Sequence, residues 1–74
     1  MIELESNIHQ EIYRLLKKKD TSYANPLSSL FLGRALNVSA SYVREQAHAM
    51  LVKGIIQVRR GPGGGYFIKG ELEK

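Results

Sequence analysis

No cysteine and no tryptophan occur among the 74 residues, and there are only two histidines. That excludes disulfides as staples and any zinc site built on thiolates. His9 and His48 stand far apart with no paired acids, so no metal is expected. Acids are scarce: seven Asp plus Glu face eleven Lys plus Arg, giving a formal net charge of +4 and a pI near 9.6. No apolar run approaches the ~20 residues of a membrane-spanning helix, and no signal-peptide pattern opens the chain. Zero cysteine fits a reducing compartment, so a cytoplasmic location is expected. So short a chain leaves little room for a cleft with a supporting shell. It also assembles no nucleophile–base pair or carboxylate dyad, and no enzymatic activity is expected.

What is present is a basic body between acidic ends. Glu3, Glu5, Glu71 and Glu73 lie outside residues 6–70, and this interior holds ten bases against Glu11, Asp20 and Glu45, a net of +7. A small body so charged suggests a polyanionic partner. A chain of this length buries only about 60% of the surface its unfolded form exposes. With no repeat and no linker, one domain over 1–74 is expected. The starting Met and the acidic tail are read as marks of a whole protein, and 70–74 as a frayed tail.

Periodicity places three helices. Ile8, Ile12, Leu15 and Leu16 form one stripe over 6–19, which Leu4 can extend by a turn. Ser6 or Asn7 can cap its start, and Lys17, Lys18 and Lys19 close it against the helix dipole. The Asn-Pro pair and small polar residues make 20–26 a loop. A second, short helix over 28–36 has Ser28 as N-cap, Leu27 and Leu32 in staple positions, and Leu36 facing inward. Gly33 inside it costs up to about 1 kcal/mol relative to Ala, which makes sense if another helix passes close to its backbone. Asn37 suits a left-handed turn. The third helix, 39–53, is capped by Ser39, carries Val43, Ala47, Met50 and Leu51 as its stripe, and stops at Gly54. Ile55 to Arg60 and Tyr66 to Lys69 read as two strands, and the glycines between them as an irregular tip, a hairpin spanning 55–69.

Two helices joined by a tight turn, the second of them capped, make a helix-turn-helix. Its second helix enters the DNA major groove by its N-terminal part. A following hairpin with arginines beside its tip makes a wing able to reach phosphates or a minor groove. The expected fold is therefore α+β: a winged helix-turn-helix of three helices and a two-stranded hairpin. The expected partner is double-stranded DNA, bound in sequence-specific fashion for transcription regulation.

Three runs of residues carry a family resemblance. Leu32-Gly33-Arg34-Ala35-Leu36-Asn37-Val38-Ser39 resembles the Leu-Ala-x-x-Leu-Gly-Val-Ser run of bacterial repressors. Ser39-Ala40-Ser41-Tyr42-Val43-Arg44-Glu45 is similar to the recognition-helix start, Ser-x-x-x-Val-Arg-Glu, of the gluconate-repressor family. Arg60-Gly61-Pro62-Gly63-Gly64-Gly65-Tyr66 resembles the wing of the iron–sulfur and nitric-oxide sensing repressors, whose Ser-x-Ser-Tyr is also similar to Ser39-Ala40-Ser41-Tyr42. The sensing family's cluster-binding cysteines have no counterpart here, and neither family's C-terminal part follows the wing. The resemblance implies a stand-alone DNA-binding winged helix, with no cofactor and no small-molecule effector.

The candidate DNA-binding residues are Ser39, Ala40, Ser41, Tyr42, Arg44, Glu45 and His48 on the third helix, with Arg59, Arg60, Gly63 and Gly64 on the wing. Arg44 can meet a guanine edge or a phosphate, or it can pair with Glu45 or Glu11. Tyr42 can meet DNA or pack under the wing. Arg59 and Arg60 alternate faces in a regular strand, so at least one is expected to face DNA. The glycine run lacks the Gly-Lys-Ser/Thr ending of a nucleotide-binding loop. Leu30 and Phe31 add apolar surface that the first helix covers or that forms a subunit contact. A small reading module gains from a second copy, so a homodimer or cooperative oligomer is expected. A protein-interaction module and RNA binding through the same basic face are the alternatives.

Overall fold

Helices occupy Asn7–Lys18 (α1), Ser29–Leu36 (α2) and Ala40–Val52 (α3), and short strands Gln57–Arg59 (β1) and Gly65–Phe67 (β2) follow. The computed structural model describes residues 7–68. The expectations for Leu4, Ser6, Lys69, the acidic ends and the 70–74 tail lie outside these residues.

Local chemistry accounts for the helix limits. Ser28 and Ser39 sit in extended backbone, and their hydroxyls accept the N–H of Phe31 and Tyr42 at 3.1 and 3.0 Å. Each satisfies an amide that the helix itself leaves unpaired. All three helices end in the same way. A left-handed residue, Asp20, Asn37 or Gly54, lets the next amide reach back to the carbonyl five residues earlier. Those bonds are Thr21 to Leu16, Val38 to Gly33 and Ile55 to Met50, at 3.1, 2.8 and 3.0 Å. The reading anticipated Asn37 and Gly54, but not Asp20, whose short side chain tolerates φ 54°.

The helices pack around Ile12, Leu16, Leu32, Val43, Ala47 and Met50, all fully shielded, and Ile56 and Tyr66 join them from the wing. In α1 the buried stripe is shifted. His9 is buried with Ile12 and Leu16, whereas Ile8 and Leu15 are only partly buried. His9 Nε2 lies 2.9 Å from Gln46 Oε1, so a part-buried polar contact joins α1 to α3. The tight neighbours of Gly33 are the turn and the first residue of α3, Ala40. A Cβ there would stand 2.7 Å from the Val38 carbonyl oxygen.

The strands are shorter than expected. They pair antiparallel, Gln57 with Phe67, Val58 with Tyr66 and Arg59 with Gly65. Gly65, expected in the irregular tip, belongs to β2. It is buried because the 20–28 loop runs along it, and a Cβ would collide with the Leu27 carbonyl. Leu27 and Tyr66 exchange two backbone hydrogen bonds, at 2.9 and 2.7 Å, so the loop acts as a one-residue third strand. Thr21 adds another tie, since its hydroxyl donates to the Leu16 carbonyl at 2.8 Å and accepts the Ile68 N–H at 3.3 Å. No helix among the described residues is long and apolar enough to cross a membrane.

Candidate nucleic-acid interface

Burial of Val43, Ala47 and Met50 turns the opposite face of α3 outward. Ser41, Tyr42, Arg44, Glu45 and His48 are exposed on it, Ser39 is exposed as the cap, and Ala40 is half-buried. Arg44 pairs with neither Glu45 nor Glu11. Its guanidinium donates to Ser41 Oγ at 3.1 Å and to Ser29 Oγ at 3.4 Å, drawing it between the first turns of α2 and α3. Glu11 is held instead by Arg14, at 3.0 Å. Ser29, outside the candidate set, is thus a supporting residue of the helix face. Tyr42 is 40% exposed.

On the wing the two arginines differ. Arg60 is exposed at the start of the tip, whereas Arg59 is half-buried and turned along the hairpin. Arg59 donates to the carbonyls of Tyr23 and Gly63, both at 2.8 Å, and its guanidinium lies 5.3 Å from the centroid of the Tyr23 ring. Gly63 is exposed with φ +73°, a conformation open to glycine, and Gly64 is packed against the Arg59 carbonyl. Tyr23 is a further residue the sequence reading missed. It lies 36 positions before Arg59, and no local pattern signals the contact.

The structure therefore joins Ser41 to Arg44 and Arg59 to Gly63. Among the described residues no hydrogen bond links the helix set to the wing set. Leu30 and Phe31 are 56% and 41% exposed, and the ammonium of Lys19 lies 5.9 Å from the centroid of the Phe31 ring. A groove of about 220 Å³ between α1 and α2, lined by Glu11, Arg14, Leu15, Lys18, Ala35 and Leu36, contains none of the candidate residues. Among the described residues no three His, Cys, Asp or Glu side chains gather as a metal site would require.

No family model and no curated protein sequence matches the chain. Among solved structures it is similar to CymR (YrzC), the global cysteine regulator of B. subtilis, with a TM-score of 0.64 and 18% sequence identity. The match covers 92% of this chain and 53% of that one, so the chain spans about half the length of that structure. The gluconate-repressor resemblance gains no support from these comparisons. The three helices and antiparallel hairpin form a winged helix, a fold this chain shares with a bacterial regulator.

Proposed function

We propose that the chain is a sequence-specific double-stranded DNA-binding regulator that lays α3 in the major groove and its wing on the backbone or in the minor groove. The observation that carries this reading is the posture of Arg44. It projects from the first turns of α3, the part of a recognition helix that meets base edges, and two serine hydroxyls hold it there. An arginine held in one place loses less freedom on forming a two-pronged contact with guanine. Ser41, Tyr42, Glu45 and His48 share its exposed face, and Arg60 offers a charge to phosphate from the wing. CymR is a regulator, which fits a regulatory role for the fold. The reading places the chain in the cytoplasm. It also includes pairing of two copies on adjacent half-sites, and the exposure of Leu30 and Phe31 favours these residues as the contact between them.

Selection of bound sites from random duplexes tests this directly. A single enriched sequence is expected, and a repeated half-site would report the dimer. Arg44→Ala should lower affinity by about 1–3 kcal/mol and relax one base position. Arg60→Ala should weaken all sequences alike and reduce the salt slope by about 1. Wild-type affinity retained in both variants would overturn the assignment.

A further inference from the structure

Arg59 occupies an unusual place for a basic residue beside a glycine-rich tip. Each of its terminal nitrogens donates one hydrogen bond to a backbone carbonyl of the protein itself. One carbonyl, of Tyr23, belongs to the loop between α1 and α2, and the other, of Gly63, to the hairpin tip. The guanidinium also faces the Tyr23 ring, which makes a T-shaped pair with Phe67 of β2, centroids 5.9 Å apart and planes at 87°. Arg59 thus ties the loop to the tip directly, and the Tyr23 ring beneath it extends the tie to the returning strand.

The tip needs such a tie. Glycines lose more conformational freedom on ordering than any other residue. Within the tip itself, the backbone bond is Gly64 N–H to the Gly61 carbonyl, at 2.9 Å. A tip left loose would have to be ordered when a partner binds, which weakens binding.

We propose that Arg59 is a positioning residue: its guanidinium pins the wing tip to the loop carrying Tyr23 and presets the wing for its partner, while Arg60 makes the contact. The role for a partner rests on the DNA-binding reading, but the pinning itself does not. A pinning arginine and a phosphate-binding arginine leave different signatures. Loss of a phosphate contact flattens the dependence of affinity on salt, with a slope of roughly −0.9 per phosphate. Loss of a pin lowers affinity at every salt concentration and leaves the slope unchanged.

The test uses the full chain, free and bound to a duplex selected by the wild type. Amide hydrogen exchange at Gly64 reads the tip in the free protein, and titrations across a salt series read binding. Arg59→Ala is expected to speed exchange at Gly64 and to weaken binding about 10-fold, as the loss of two hydrogen bonds that preset the tip would do. Its salt plot should run parallel to that of the wild type. Arg60→Ala should flatten the plot without changing exchange. An Arg59→Ala protein with unchanged Gly64 exchange, or with a flattened slope, overturns the proposal. Should that variant fail to fold, Arg59→Lys keeps the charge and loses the fork. Faster exchange with weaker binding supports the pin, and wild-type behaviour in either readout overturns it. If the wild type binds no duplex, the DNA reading fails, and the exchange comparison still decides whether Arg59 holds the tip.

Discussion

In the helical body six apolar side chains, Ile12, Leu16, Leu32, Val43, Ala47 and Met50, are wholly removed from solvent. The wing has two strands of three residues, and β1 is only half-buried along its length. It is anchored by a few buried side chains, Ile56, Tyr66 and Phe67, and also by directed contacts to one loop: the Leu27–Tyr66 pair, the Thr21 hydroxyl and the fork of Arg59. The body rests on a non-directional term that grows with apolar area. The wing adds to its smaller buried area hydrogen bonds whose net value is about 1 kcal/mol each and which depend on geometry. The proposed reading face is divided between the two, with α3 set by burial and the wing by both burial and the loop. A substitution can therefore disable the wing while the helices stay folded.

The largest effect expected is in the body. Leu32→Ala removes a fully buried side chain at the centre of the core and should cost about 2–5 kcal/mol. Against the roughly 0.05–0.15 kcal/mol per residue of a typical domain, that is a large share of the total. Urea unfolding followed by circular dichroism would measure it. Helix and wing signals should be lost together. If the wing persists after the helices have melted, the dependence of the wing on the body is wrong.

Gly65→Ala should come next. Its Cβ would run into the carbonyl carbon of Leu27 at 2.5 Å and the Ser28 nitrogen at 2.8 Å, so the loop must move. A cost of about 1–3 kcal/mol is expected. The sharper sign is local: the Tyr66 and Leu27 amides should exchange faster while those of α3 keep their protection. Uniform acceleration across α3 as well would mean that the loop contact supports the whole fold and not the wing alone.

The same division explains what could be read in the sequence. Helix starts and stops depend on residues within a turn of each other, so Ser28, Ser39, Asn37 and Gly54 could be assigned from their neighbours alone. The stripe of α3 was legible because every buried member is apolar. That of α1 was less so, since His9 sits one turn before Ile12 on the same face, and only its polarity kept it from the core list. The wing's existence followed from its glycines and arginines, but its anchoring did not. Thr21 and Ile68 are 47 positions apart, and nothing local marks a threonine as a bridge between a helix end and a strand. The hydrogen bonds of Arg59 were hidden for the same reason. Strand alternation says where a side chain leaves the backbone, not which carbonyls wait within reach.

The smallest effect on stability is expected on the outer face of the body. Leu30 and Phe31 are exposed at the start of α2, neither belongs to the buried core, and the Lys19 ammonium lies near the Phe31 ring. Replacing both, in Leu30→Ser/Phe31→Ser, should move stability by no more than about 0.5 kcal/mol per site, because neither contributes to the shielded core. The Ser28 cap and the Gly33 turn are left untouched. That near-silence makes the variant useful. Sedimentation of wild type and variant over the same concentration range would show whether these side chains join two copies, with no loss of fold to confuse the result. Self-association lost in the variant, with α3 and the wing unchanged in hydrogen exchange, would assign the contact to α2. A variant that associates like the wild type would remove Leu30 and Phe31 from the proposed dimer, and a variant that unfolds would show that the body depends on more than its buried stripes.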